Sequence, residues 1–224
     1  MTEKIVALVP MRHHSERVPG KNYRALAGKP LYHHILATLK SVPELDGILV
    51  DTDSPVILEG LAQDFPDVRA VERPEGLRGG EIPMNEILIY DTGLIDSTYY
   101  LQTHSTNPLL RAETVSKAIQ RFLAELPEYD SLFGVTRMQT RLWDQLGRPV
   151  NHNPDVLLRT QDLPPIFEEN SCLYIFTREN LLARRNRLGE RPMMFEVPPV
   201  EAWDIDEELD FTVADTLFRQ LHGE

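Results

Sequence analysis

The residues most able to do chemistry stand in two places, an early basic loop and a late acidic segment. Between Pro10 and Pro30 there are five basic residues (Arg12, Arg17, Lys21, Arg24, Lys29) and one acid, Glu16, in a chain whose formal net charge is −12. A local cationic excess in an acidic chain reads as a small anion site, with a solvated basic loop as the plain alternative. The stretch from Val9 to Asn22 carries these cations with the Ser15 hydroxyl. Such a loop between a strand and a helix can wrap a triphosphate through backbone N–H groups and charge-assisted hydrogen bonds. It is neither a Walker loop, since GxxxxGK[ST] is absent, nor a dinucleotide fingerprint, since the GxGxxG glycines are missing. Near the other end, Asp204 and Asp206 are two residues apart, which puts both carboxylates on one side of an extended segment. Two hard oxygen ligands beside phosphates suit Mg²⁺. The competing explanation is an acidic helix start, which complements the helix dipole and which we prefer for Glu207, Glu208 and Asp210.

The elements that must hold these residues alternate. Lys4–Val9 is a short apolar run of the kind found in a buried parallel strand. Leu31, Ile35 and Leu39 mark a helix face behind Pro30, which suits a first turn. Strands are expected at Gly47–Val50, Val68–Val71, Thr98–Leu101, Ser131–Thr136 and Cys172–Phe176. Helices are expected at Pro55–Asp64, Asn85–Ile95, Ala112–Glu125, Arg178–Arg185 and Glu207–Leu221. This β-α-β rhythm predicts a parallel sheet with helices on both faces and a ligand site beyond the carboxyl ends of the strands. From about Met138 to Pro165 the rhythm breaks. That stretch is read as an excursion from the single domain of residues 1–224, either a dimer arm or a long surface loop.

The motifs in order resemble the acylneuraminate cytidylyltransferase family, whose members activate sialic acids and related sugars. Arg12, Ser15, Pro19, Lys21, Asn22 and Gly28-Lys29-Pro30-Leu31 fall in place on that family's P-A-R-x-G-S-K-x-x-P-x-K-N and G-K-P-L patterns. Val50-Asp51-Thr52-Asp53-Ser54 resembles V-S-T-D-S, and Arg73-Pro74-Glu75 resembles R-P-E. His104-Ser105-Thr106-Asn107-Pro108-Leu109 is similar to Q-P-T-S-P-L. Arg159-Thr160-Gln161-Asp162-Leu163-Pro164 matches R-x-Q-D-L-P, and Glu169-Asn170-Ser171-Cys172-Leu173-Tyr174 resembles E-N-G-A-I-Y. Asp204-Ile205-Asp206 with Leu209-Asp210-Phe211 is similar to a D-I-D-x-x-x-D-F ending.

The resemblance, with the strand–helix alternation, implies an α/β three-layer sandwich with a mixed, mostly parallel sheet of the Rossmann-like nucleotidyltransferase kind. It implies transfer of CMP from CTP to a sugar acid resembling sialic acid or Kdo, with pyrophosphate leaving. Arg12 and Lys21 would cradle the triphosphate, with Ser15, Asn22 and Arg73 also at the nucleotide and Arg73 close to the base. Asp204 and Asp206 would hold Mg²⁺ and, with Arg12 and Lys21, form the catalytic set. Arg159 would clamp the sugar carboxylate, a task suited to a bidentate guanidinium. Gln161, Asn170 and His104 would complete the acceptor site. Family members are generally homodimers, and the same is expected here. No general base is evident.

Departures accompany the matches. His14 stands at a loop glycine of the family pattern and Glu16 at its lysine; Arg17 is placed to restore the charge. Ser171, Trp203 and His104 differ as well. These changes leave open another nucleotide such as GTP, or a non-sugar acceptor such as a phosphonate. They also motivate a reading as a nucleotide-binding protein without catalysis, which the retained Asp204 and Asp206 oppose. A glycosyltransferase would place its Asp-x-Asp mid-chain.

The composition is that of an ordinary soluble globular protein. Its 42% hydrophobic and 26% charged content is ordinary, and its acidity argues against a protein that coats nucleic acid. No run approaches the ~20 apolar residues of a membrane span, so no membrane partner is expected. The first nine residues do not have the form of a signal peptide. The single cysteine, Cys172, excludes an internal disulfide and suits a reducing compartment, so the cytoplasm is the expected location.

Overall fold

The computed structural model describes residues 3 to 223. The first two residues of the amino-terminal segment considered above lie outside the described residues. In chain order the strands are β1 (Ile5–Met11), β2 (Ala25–Leu26), β3 (Lys29–Pro30), β4 (Gly47–Thr52), β5 (Arg69–Glu72), β6 (Tyr99–Thr103), β7 (Ser131–Met138), β8 (Ile166–Phe176) and β9 (Pro192–Glu196). The helices are α1 (Leu31–Lys40), α2 (Pro55–Asp64), α3 (Met84–Thr92), α4 (Ala112–Ala124), α5 (Arg178–Arg184) and α6 (Glu208–His222). Seven strands form one sheet in the order β5-β4-β1-β6-β8-β7-β9, and β2 pairs with β3 in a small hairpin. β8 is antiparallel to both β6 and β7, while every other pair in the sheet is parallel. The mixed, mostly parallel sheet expected above is therefore observed, with one reversed strand.

Strand alternation distributes β1 between two cores. Ile5, Ala7, Val9 and Met11 meet α1, α2 and α4 on one face, through residues such as Ile35, Ile57 and Phe122. Val6 and Leu8 turn the other way, against Leu88 of α3 and Leu181 of α5. Burying every residue of β1 is what gives the run its unbroken apolar character. A third cluster joins Val18, Leu26 and Leu31 to Ile205, Phe211 and Ala214. It welds the early basic loop to the late acidic segment, although about 190 residues separate them.

Two features differ from the sequence expectation. β9 was not anticipated, because its residues begin with Pro192 and show no extended alternation; an edge strand tolerates proline at its first position. β8 begins at Ile166, six residues before the expected Cys172, and its register against β7 shifts between Phe133 and Val135. Gly134 makes that irregularity possible: a Cβ there would lie 2.6 Å from Asn170 Oδ1. Between β7 and β8 the chain leaves the sheet, as expected. It contains only an isolated bridge between Trp143 and Pro149 and a short turn at Thr160–Asp162.

Candidate active site

The carboxyl ends of β1, β4 and β6 deliver three loops that hold one another. The first follows β1. His13 donates its backbone N–H to Asp53 Oδ1 at 2.7 Å, its Nδ1 lies 2.8 Å from Ser54 Oγ, and its ring stacks on Tyr23. Ser54 also accepts from Ile57 N at the start of α2, so the Asp53-Ser54 pair ties the loop to a helix cap. Gly20 adopts φ +67 and its absent Cβ would come 2.9 Å from the Tyr23 ring, so the turn into Lys21 needs glycine.

The third loop, after β6, is the hub. Ser105 Oγ donates to Asn22 Oδ1 at 2.7 Å, and Asn22 Nδ2 donates to the Arg12 carbonyl at 2.7 Å. On the other side, Ile205 N donates to Thr106 O at 3.0 Å and Asn107 Nδ2 to Trp203 O at 3.3 Å. The basic loop and the two aspartates are thus registered against the same three consecutive residues, Ser105 to Asn107. Ser105 and Asn107 are buried, and sequence reasoning quoted them without giving them this role.

Ile205 is fully buried, which turns Asp204 and Asp206 toward the cleft on either side of it. Lys21 Nζ donates to Ile205 O at 2.5 Å and lies 3.7 Å from Asp206. Burial pulls the Lys21 ammonium below its ordinary pKa, opposed by the charges of Asp204 and Asp206. Burial likewise raises the Asp204 pKa, opposed first by a hydrogen bond from Thr106. Its Oδ1 is buried with no hydrogen-bond partner among the described residues. Asp206 accepts from Arg17 Nη2 at 2.7 Å, and Arg17 Nη1 reaches Glu207 at 3.3 Å. Arg17 therefore bridges the loop to the acidic segment. Glu207 and Asp210 form a capping box at the start of α6, the helix-start role expected of them. Glu208 instead pairs with Arg24.

The structure redistributes the other predicted residues. Arg12 directly follows β1 and its Nη1 donates to Gly80 O at 3.4 Å, and Ser15 Oγ accepts from Val18 N at 3.4 Å inside its own turn. The Asn22 amide is engaged in positioning on both its nitrogen and its oxygen. Arg73 is corrected more strongly. Its side chain is buried beneath the sheet edge, with Nε donating to Asp51 Oδ1 and Nη2 to Asp51 O at 3.2 Å, so it does not face a base. Asp91 of α3 completes that cluster. Burial, then the Asp51 charge, raises its pKa to about 9, so it is protonated at neutral pH. The residue types gave no hint of this triad, because Asp51 and Asp91 are forty residues apart and meet only across the sheet–helix interface.

On the acceptor side, Asn170 donates to Thr136 Oγ1 at 3.1 Å and accepts from Cys172 N at 3.2 Å, holding the bulge while lining the cleft. Arg159 and Gln161 lie on the exposed excursion. Arg159 forks onto Asp162 at 2.7 and 3.1 Å, and the Gln161 carbonyl accepts from Gln139. Neither lines the cleft of its own chain. His104 directly follows β6, with its Nε2 2.9 Å from Gln102 Nε2, and is not among the residues lining the cleft. Burial, then Arg187 and Lys21, lowers its pKa to about 3, so the imidazole is neutral. The cleft encloses about 460 Å³ and collects the carboxylates of Glu168, Glu169, Asp204, Asp206 and Asp210 beside Trp203. A larger cavity of about 580 Å³ lies by α1 and α6, lined by residues such as Lys29, His34, Pro108 and His222, and none of the cleft carboxylates lines it.

Comparison with known proteins decides the family. A model described as cytidylyltransferase matches residues 6–211. The chain belongs to the cytidylyltransferase family. It is 25% identical over 94% of its length to an N-acylneuraminate cytidylyltransferase A of Danio rerio, covering 50% of that protein. The chain spans about half the length of the first curated relatives it matches. It is 26% identical to a CMP-N,N'-diacetyllegionaminic acid synthase of Legionella pneumophila, over 96% of each chain. The same cytidylyltransferase fold is seen in a solved CMP:2-keto-3-deoxy-manno-octonic acid synthetase complexed with CTP. That match has a TM-score of 0.74 and 16% identity and covers 97% and 99% of the two chains. A 4-diphosphocytidyl-2C-methyl-D-erythritol synthase from Anaerococcus prevotii superposes with a TM-score of 0.69 at 13% identity, covering 97% of each chain.

Proposed function

We propose that this cytidylyltransferase-family protein transfers CMP from CTP to a sugar acid of the sialic-acid or Kdo kind. The observation that carries the reading is the joint between the two charged segments. The β1 loop brings Lys21 onto the Asp204-Ile205-Asp206 backbone while the β6 loop registers both. A triphosphate lying along the loop meets Arg12 and Lys21 on one side and the aspartates on the other. The acceptor hydroxyl oxygen forms the new bond to the α-phosphorus and gives up its proton to solvent, the bridge to the β-phosphate breaks, and pyrophosphate leaves. Holding the reactants in line and neutralising charge supply most of such a rate.

The two aspartates suit Mg²⁺ on an observation of their own: Asp204 offers a buried carboxylate oxygen without a partner, beside a second carboxylate. No cluster of three or more metal-ligating side chains occurs among the described residues, so phosphates and water would complete the shell. When bound, the ion supplies Lewis-acid charge at the α-phosphate. Lys21 and Arg12 then hold the departing pyrophosphate, and Arg17 must yield its grip on Asp206.

We further propose a homodimer built through the excursion. Trp143, Leu146, Val150, Val156, Leu157 and Leu158 are all exposed there, with Leu157 at 90%. Contiguous apolar side chains of this kind mark contact surfaces. No described helix is long and apolar enough to cross a membrane. The test of the reaction is pyrophosphate release, with each of the four nucleoside triphosphates paired against a panel of 3-deoxy-2-keto sugar acids and Mg²⁺. CTP with at least one acid is the expected active pair. Silence across the panel, with CTP still bound, would favour a binding protein instead.

A further inference from the structure

The larger of the two cavities described above shares no lining residue with the cleft of Asp204 and Asp206. It encloses about 580 Å³, a volume within the range of small-molecule sites. Its walls come from the β2–β3 hairpin, one face of α1, the chain entering α4 and the last turns of α6. The chain has a net charge of −12, yet no carboxylate residue lines this cavity, whereas Lys29, Arg111 and three histidines do. A cationic lining in an acidic chain is suited to an anion.

Two of those cations are available to one. Among the described residues no ion pair or hydrogen bond holds the Lys29 ammonium, and its charge is felt by His33 and His34. Arg111 stands 4.0 Å from Glu201, whose other oxygen is already taken by Arg111 N at 3.0 Å, and the Arg111 side chain stays 57% exposed. Arg111 also begins α4, a helix start that no side chain caps, and Ala112 at its first position lines the cavity. The amide end of this helix adds positive potential to the same wall.

The remaining wall is aromatic. Phe218 packs between His34 and His222 with ring centroids 4.3 and 4.0 Å away, and His222 lies nearly parallel to it at 16°. His222 is held there by Nδ1, which donates to Phe218 O at 2.8 Å. His34 is 7% exposed, and its Nε2 lies 2.8 Å from Leu26 O. A carbonyl can only accept, so the ring proton is on Nε2 and Nδ1 keeps a lone pair that no described residue meets. Burial, opposed by that bond, lowers the His34 pKa, so the ring is neutral at neutral pH. A buried acceptor without a donor is an unmet polar group.

An occupant that answers all of this carries an anion for Lys29, Arg111 and the start of α4. It also carries a hydroxyl to donate to His34 Nδ1 and a flat ring to lie against Phe218 and His222. We propose that this cavity is a second nucleotide site, separate from the cleft, that takes a nucleoside monophosphate through its phosphate, its ribose hydroxyls and its base. The assignment stands independently of the CMP-transfer reading.

Calorimetry without Mg²⁺ tests it, with AMP, GMP, CMP and UMP titrated into the native protein. At least one should bind with a Kd of about 1 mM or tighter, and about tenfold more tightly than its nucleoside or inorganic phosphate. Lys29→Gln combined with Arg111→Gln should weaken that binding about tenfold or more. Lys21→Gln, which disarms the cleft, should leave it within twofold. In the native protein the ring C–H resonances of His34 and His222 should shift during the titration, while those of His13 in the β1 loop stay in place. Absence of binding, or inorganic phosphate binding as tightly as the nucleotide, overturns the proposal. So does binding that Lys21→Gln abolishes and the double variant keeps, or a His13 shift in place of the His34 and His222 shifts. If the double variant does not fold, judged by its melting curve, the two single variants replace it and the resonance shifts of the native protein decide.

Discussion

Two carboxylates that look equivalent in the chain are held in different ways. Asp204 is drawn inward beside Cys172 and Thr106, and its free oxygen is buried. Asp206 remains half-exposed and is tied to Arg17. Asp204→Asn or Asp206→Asn keeps the shape and removes a charged ligand, so pyrophosphate release should fall by about 100-fold or more, since electrostatic stabilisation supplies several kcal/mol. Undiminished turnover in either variant would remove the metal from the mechanism. The buried Asp51–Arg73–Asp91 cluster gives a second prediction. Asp91 titrates at about 9 when folded and near 3.9 when unfolded. Across that window the folded chain holds the extra proton, so stability is greatest at the acid end and is lost as pH rises toward 9. Asp91→Asn cannot ionise, and its melting temperature should fall less than that of the native protein between about pH 6 and about pH 9. Parallel curves for the two proteins would show that Asp91 does not titrate in this range.

At the scale of elements, the start of α6 serves stability and the site together. Asp210 Oδ2 accepts from Glu207 N at 2.8 Å and from Asp206 N at 3.1 Å, so the cap that begins the helix also fixes the backbone of a catalytic candidate. Asp210→Ala should cost ~1 kcal/mol of stability by denaturant titration and should weaken Mg²⁺ dependence of turnover at the same time. A loss of stability with an unaltered Mg²⁺ response would separate the two roles. The sequence made the acidic helix start legible, because acids in a first turn have a local electrostatic reason. It could not reveal the bulge at Gly134. That irregularity exists because the Asn170 side chain crosses to Thr136 on the paired strand, a contact between residues 34 apart.

For the whole molecule, the open question of assembly is concentrated in the stretch between β7 and β8. Its apolar side chains project from a loop with an internally bonded frame: Asn151 donates to Thr140 O at 2.6 Å, and Asp144 accepts from the backbone of Leu146 and Arg148. Light scattering at micromolar concentration should give twice the 25.7 kDa chain mass. Leu157→Glu with Trp143→Ser should return the protein to that monomer mass while leaving its circular dichroism unchanged. A native protein that stays monomeric would reduce the excursion to a surface loop.

The sequence by itself determined the layered α/β sheet, because each strand's apolar run and each helix's stripe is a local consequence of what it must bury. It also determined the two charged segments, since clustered cations and paired aspartates carry their chemistry in their types and spacing. Tertiary structure decided what those types could not. Arg73 and Arg159 read as ligand contacts, yet one is neutralised inside the fold by Asp51 and the other on the surface by Asp162. The function of a charged side chain depends on which counter-charge the fold brings within a few ångströms, Asp51 from another strand for Arg73 and Asp162 from the same turn for Arg159.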